Sequence, residues 1–251
     1  MKTKNRSRTL KIALITTAFA VFAACEPKPI SELSEGEGIQ RIRENYNGHN
    51  WEIVGQEVNE YRARYPYSQF ANEALLMQAD AQFQGSRYPE ATVTYEEFLQ
   101  RNKSHPKLGL ASFRIAKSYD LQSSESPDRE QDFSKKAVQK YNDYLVAFPK
   151  DENVSEGRER IAVLRRRLAD HELFVARFYW KKDLWHAALL RYLDLRSSEY
   201  KDIRDEAFVR ARQAYYELAF LLEKDPKSDA VVHFRDKTPE DLRKAGDDLA
   251  R

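Results

Sequence analysis

What this chain lacks narrows its class before any motif is read. It has one cysteine, Cys25, in 251 residues, so no internal disulfide and no cysteine cluster for a metal can form within it. Eight glycines supply few of the tight turns a many-stranded β-sandwich needs, and a charged, Leu/Ala/Tyr-rich remainder favours helices. The longest apolar run, residues 12–24, has 13 residues, short of the about 20 that a membrane-spanning helix requires. Charge of one sign is not in surplus either. The formal net charge is +2, yet Lys2, Lys4, Arg6, Arg8 and Lys11 stand without an acid in the first 24 positions, which leaves 37 basic against 40 acidic residues in the rest. A nucleic-acid surface needs a concentrated basic footprint, and none remains, so no nucleic-acid partner is expected.

The usual carriers of catalysis are missing as well. The five histidines (His49, His105, His171, His186, His233) stand at least 15 residues apart, with no i, i+4 pair to hold a metal. His171-Glu172 opens like a zincin helix, but Val175 stands where the second histidine belongs. Neither a glycine-rich phosphate loop nor a G-x-S-x-G elbow is present. Carboxylate pairs such as Glu96-Glu97 and Asp247-Asp248 read as solvated helix faces. The expectation is therefore a protein with no catalytic residue, no metal and no cofactor.

What is present begins with an address. A basic stretch over residues 1–11, the short apolar run and the small residues Ala23 and Ala24 read as a secretory signal. The run ends on the only cysteine, and Phe22-Ala23-Ala24-Cys25 resembles a bacterial lipobox. That resemblance implies cleavage after residue 24, acylation of Cys25, and an anchor of several chains that holds stably where one chain would not. Glu26, in place of Asp, favours the outer membrane by resemblance to the enterobacterial sorting rule, with the body on the periplasmic face. Residues 26–38 (EPKPISELSEGEG) have almost nothing to bury and are expected to form a solvated tether, at most about 45 Å long when extended.

From Ile39 the apolar residues recur at steps of three and four, as in amphipathic helices. A longer pattern then returns: Ile39-Ile42-Tyr46, a step of five to Trp51, then Val54-Val58-Tyr61. The same spacings hold for Leu76-Ala79-Phe83 with Tyr88-Ala91-Tyr95-Phe98, and for Leu173-Ala176-Trp180 with Trp185-Ala188-Tyr192-Leu195. Ser112-Ile115-Tyr119 with Ser134-Ala137-Tyr141-Tyr144 fits with ten residues inserted, and Phe208-Ala211-Tyr215 keeps only the first half. Start-to-start distances of 37, 36, 61 and 35 residues describe two helices per unit, the mark of a tetratricopeptide-type array. The fold expected is all-α: about five helical hairpins over residues 39–225, stacked in a right-handed superhelix. Its loops are Asn47-Gly48-His49-Asn50, Gly85-Ser86-Arg87 and Lys181-Lys182-Asp183. Residues 152–182 read as one long helix with Ile161, Leu164, Leu168, Phe174 and Phe178 as its core strip. Residues 226–251 open polar, and their amphipathic end, with Thr238-Pro239 as a helix start, either caps the array or hangs loose.

Leu164-Arg-Arg-Arg-Leu-Ala-Asp-His-Glu-Leu-Phe-Val-Ala-Arg-Phe-Tyr179, continued by Trp185-His-Ala-Ala-Leu-Leu-Arg191, resembles the fourth-repeat helix and its successor in the BamD family of outer-membrane assembly lipoproteins. Arg64-Tyr-Pro-Tyr-Ser68 and Ser104-His-Pro106 are similar to the ends of that family's first two repeats, and Asp128-Arg-Glu-Gln131 to the acidic/basic loop before its third-repeat second helix. The resemblance covers nearly all of the chain after Cys25. It implies a non-enzymatic scaffold of the β-barrel assembly machinery. The expected partners are a BamA-like insertase, other lipoproteins of the complex, unfolded outer-membrane proteins, and the membrane through the lipid anchor. It also implies that Arg191, with Tyr192 beside it, meets an acid on the last POTRA domain of the insertase; the alternative is an intrahelical pair of Arg191 with Asp194 or Glu199. Tyr61, Tyr65 and Tyr67 are the expected contacts of an aromatic-ended client peptide. Two competing readings are another repeat lipoprotein scaffold (for secretin or pilus assembly, or associated with Tol-Pal) and a cell-wall lytic enzyme built on a helical superhelix.

Overall fold

The structure is a computed structural model that describes residues 28–249; the signal segment and Cys25 lie outside the described residues. Among those described there are ten α-helices, two 3-10 turns and no strand. They divide into two compact units, one ending at Ala74 and one beginning at Leu75.

The first unit starts earlier than the composition of residues 26–38 suggests. A 3-10 turn, Ile30–Glu32, buries Ile30 completely, and α1 runs from Glu35 to Asn47. Ser34 closes the helix start reciprocally: its hydroxyl accepts from the Glu37 amide while the Glu37 carboxylate accepts from the Ser34 amide at 2.9 Å. Such a capping box satisfies two amides that a helix start leaves open. The expected tether is thus corrected to end before Ile30, because one buried isoleucine and one cap suffice to order this polar stretch. Helix α2, Trp51–Arg64, completes the hairpin, with Ile39, Ile42, Val54, Val58 and Tyr61 buried as the repeat pattern requires. Gly38 leaves no room for a side chain, since a Cβ there would lie 3.0 Å from the Tyr61 ring.

Helix α3, Ala71–Gln84, crosses the boundary between the units. In the second unit it is followed by α4 (Tyr88–Arg101), α5 (Leu108–Gln122), α6 (Asp132–Ala147), α7 (Val154–Lys181), α8 (Trp185–Leu195) and α9 (Lys201–Lys224). After Pro226 come a 3-10 turn, Asp229–Phe234, and α10, Pro239–Asp248, which opens with a second capping box between Thr238 and Asp241. Each helix from α4 to α10 packs on its predecessor or successor in chain order. Ala91, Ala137 and Ala188, the small residues of the second helices, have no exposed surface. They let neighbouring backbones close up while Tyr95, Phe98, Tyr141, Tyr144 and Tyr192 fill the gaps to the next hairpin.

The step of five in the repeat corresponds to one turn geometry used three times. His49, Ser86 and Asp183 each take a left-handed backbone conformation, with φ of 60, 59 and 57°, and each stands two residues before its second helix. In each turn an amide reaches back five residues to close the helix end: Asn50 to Asn45, Arg87 to Gln82 and Leu184 to Tyr179. This is a Schellman ending, here made with a histidine, a serine and an aspartate where glycine is commonest.

Helix α7 departs from the expected strip. Ile161 and Leu164 are buried, but Phe174 and Phe178 are 41% and 49% exposed, and Leu173 and Ala176 take their place. At 3.6 residues per turn, the nine residues from Leu164 to Leu173 carry the side chain about half a turn around the axis. The front of α7 therefore closes the hairpin of α5 and α6, and its rear buries the opposite face against α8 and α9. A single core strip cannot serve both.

Gly109, at the start of α5, has no room for a side chain. A Cβ there would fall 2.2 Å from Asp151 Oδ2, while the other oxygen of Asp151 accepts from Tyr144 Oη at 2.5 Å and from the Asn153 amide at 3.0 Å. These bonds hold the carboxyl below the usual carboxylate range despite its burial. Gly109→Ala should lower stability by about 1–3 kcal/mol through this clash, measurable as a reduced midpoint in denaturant with an unchanged slope. Unaltered stability would mean that Asp151 swings aside freely.

Candidate functional site

The residues expected to touch partners fall in both units and fare differently. In the first unit, Tyr61 has no exposed surface. Its hydroxyl shares a 2.8 Å hydrogen bond with Ser68 Oγ, which in turn donates to Glu35 at 2.6 Å, and burial raises its pKa above the ordinary tyrosine value. Tyr65 stacks beside it with ring centroids 5.3 Å apart and donates its hydroxyl to the Leu33 carbonyl. Tyr61 is therefore corrected from peptide contact to core, and Tyr65 is largely engaged in packing. Tyr67, 99% exposed in the turn after Pro66, is presented to solvent. The correction was available in the sequence, because Tyr61 occupies the last apolar position of its repeat.

In the second unit, α8 separates Arg191 and Tyr192 by the about 100° between consecutive helical residues. Tyr192 points into the core, edge-on to Trp180 at 6.2 Å, with no exposed surface. Its hydroxyl has no hydrogen-bond partner, and burial pushes its pKa up to about 12. It is corrected from surface contact to core. Arg191 stays at the surface, its side chain 43% exposed. It pairs with neither Asp194 nor Glu199; its Nη1 donates to Glu172 Oε2 on α7 at 3.1 Å. Only one of its five donors is engaged in that bond, and a guanidinium offers a planar fork to a further carboxylate. Leu184, one heptad before Arg191 and hence on the same face, is also exposed.

Around this helix, arginines of α7 reach across to acids of α9. Arg166 donates through Nη1 to Asp202 at 2.9 Å and through Nε to Asp170 at 3.1 Å. Arg177 donates through Nε to Glu206 at 2.8 Å, and that bond holds the Glu206 carboxyl below its ordinary value. Arg210 lies over the Trp180 ring at 4.7 Å. Two shallow grooves follow this seam. One is lined by Arg177, Asp205, Glu206, Val209, Arg210 and Gln213; the other runs along α7 past Val163 and Phe174 beneath the loop at Pro127. That loop, which holds the insertion in the third repeat, is fastened by Arg167 to Ser123 and by His171 to the Pro127 carbonyl. Such surfaces offer charge-assisted hydrogen bonds beside apolar spots, suited to holding peptide. Among the described residues, no cluster of three metal-ligating side chains occurs and no helix is long and apolar enough to cross a membrane.

Successive helical hairpins packed on their chain neighbours define a helical-repeat protein of the tetratricopeptide type. The chain belongs to the YfiO family of outer membrane lipoproteins, whose profile matches residues 37–229. It is similar to outer membrane protein assembly factors called BamD. The protein of that name from Caulobacter vibrioides is 24% identical over 83% of this chain and 67% of its own length. The one from Pasteurella multocida is 24% identical over 79% and 80%, and the one from Neisseria gonorrhoeae 25% identical over 84% of each chain.

The different fates of two neighbours on α8 are measurable. Tyr192→Phe should leave stability within about 0.5 kcal/mol of the parent or raise it, because the hydroxyl it removes is buried without a partner. Tyr192→Ala should cost about 3–5 kcal/mol through the cavity it leaves, whereas Arg191→Ala should cost less than about 1 kcal/mol. A large loss in Tyr192→Phe would show that the hydroxyl is bonded after all.

Proposed function

We propose that this chain is a lipid-anchored scaffold of outer-membrane β-barrel assembly, held by Cys25 on the periplasmic face after removal of residues 1–24. It works by binding, with no catalytic step. In this reading the outward face of α8, with Arg191 at its centre, meets a carboxylate on a POTRA domain of a BamA-like insertase. Unfolded outer-membrane proteins are held elsewhere on the repeats, with Tyr67 as the exposed aromatic of the first unit. Residues 39–225 act as the repeat array, and residues 226–251 as its C-terminal cap.

The observation that carries the reading is Arg191 itself. It is half-exposed, bonded to Glu172 on the neighbouring helix, and lies within a chain similar to named assembly factors over most of its length. Glu172 orients the guanidinium without burying it, so an incoming carboxylate finds a charged fork already in place.

Arg191→Glu should reduce co-purification of the insertase from detergent extracts by tenfold or more while the circular dichroism and melting temperature stay those of the parent. Undiminished recovery would remove Arg191 from the interface, and recovery of a secretin without a BamA-like barrel would replace the reading altogether. Cys25→Ser should move the protein from the membrane to the soluble fraction on fractionation; continued sedimentation with membranes would rule out an acyl anchor at this cysteine.

A further inference from the structure

His186 and His233 are remote in sequence, yet their rings stack with centroids 4.2 Å apart and planes inclined by 34°. His186 stands half-buried in the first turn of α8, and His233 on the exposed side of the 3-10 turn Asp229–Phe234. The next residue, Phe234, meets His186 edge-on at 5.2 Å, while Val231 is fully buried among the side chains of α8 and α9. Within the turn, the Val231 amide donates to the Ser228 carbonyl and Arg235 to the Lys227 carbonyl at 3.0 Å. These bonds shape the turn but do not fix it to α8; side-chain packing does that, and the outer edge of the packing is two imidazoles in contact.

Stacking tolerates two neutral rings or one charged ring, whereas two imidazolium ions this close repel. We propose that the His186–His233 stack is an acid-released clasp, which holds the turn against α8 and α9 when neutral and lets the turn go when both rings are protonated. Burial, and then the charge of His233, hold His186 below the ordinary histidine value of 6.5. Among the described residues, no carboxylate is ion-paired with either ring. Lys181, Lys182 and Asp183 precede α8, and Lys224 and Asp225 end α9. Around the turn, Asp229 faces Arg235 at 4.0 Å and Asp236 faces Lys237 at 3.2 Å, while Arg243 of α10 is bonded to Glu223. Among the described residues, the charge that bears on His186 is that of His233. A histidine whose pKa is depressed by folding contributes stability that is complete above its ordinary value and is lost as pH falls through the depressed one. The clasp is therefore closed at neutral pH and opens as pH falls below the ordinary histidine value, baring Val231 and Phe234 beside the helix that carries Arg191. This holds whichever partner Arg191 meets.

Amide hydrogen exchange of the full chain at pH 7.5 and 5.0, corrected for intrinsic rates, tests the clasp. Protection over residues 229–235 should fall about tenfold for each unit of pKa depression, with α4 to α6 unchanged. His186→Phe, which keeps a ring in the stack but removes the second charge, should retain protection at both pH values. His233→Gln should likewise show no acid-dependent loss, whatever its protection at neutral pH. Equal protection of the parent at both pH values, or an acid-dependent loss that persists in both variants, would overturn the proposal.

Discussion

The packing of the second unit depends on α4, α6 and α8 each burying an alanine on one side and aromatic rings on the other. A helix in water gains little from its own hydrogen bonds; it is stable here because neighbours before and after it remove its apolar faces from solvent. Ala91, Ala137 and Ala188 permit the close approach, and Tyr95, Tyr141 and Tyr192 fill the space beyond. The chain has a single cysteine, so no internal disulfide reinforces this packing. The array is therefore a set of nearest-neighbour contacts, whose outward-facing residues are free to vary with the partner.

The polar residues divide along the same line. Buried ones are tied locally: Asp120 accepts two bonds from Arg160, at 2.7 and 2.9 Å, with Tyr141 at 3.3 Å, and so joins α5, α6 and α7 at one carboxylate. Removing either partner of a pair like this leaves a charge with poor solvation. Exposed pairs such as Arg191–Glu172 contribute little to stability and can change partners at small cost. A surface of that kind suits recognition, since binding replaces one bonded carboxylate with another and does not require a dry charge to be uncovered.

Much of the fold could be read from periodicity, because period and core coincide in stacked hairpins. The step of five located all three left-handed turns at His49, Ser86 and Asp183. The start of the first helix was marked by Ser34-x-x-Glu37, a signal outweighed by the polar composition around it. On the rear of α7 two sequence signals conflict: a strip extended from Ile161 and Leu164 leads to Phe174 and Phe178, while the repeat spacing points to Leu173 and Ala176, which are the buried pair because one helix serves two hairpins. Of the site, Tyr61 and Tyr192 occupy repeat positions that belong to the core, so their burial was implicit in the pattern that revealed the repeats. Glu172 as the partner of Arg191, and His233 as the partner of His186, depend on how successive helices dock, which no local spacing encodes.

The central claim is that α8 offers Arg191 to a carboxylate of an assembly partner while its neighbour stays in the core. A photo-crosslinking amino acid placed at Leu184, exposed on the same face as Arg191, and in a matched strain at Glu172, measures this in cells with Arg191 left in place. The account predicts that both positions crosslink to a BamA-like barrel protein, and that the adduct disappears when the acidic residues of its last POTRA domain are neutralised. Crosslinks from both positions to some other protein alone, or none in cells that retain the folded chain at the outer membrane, would contradict it.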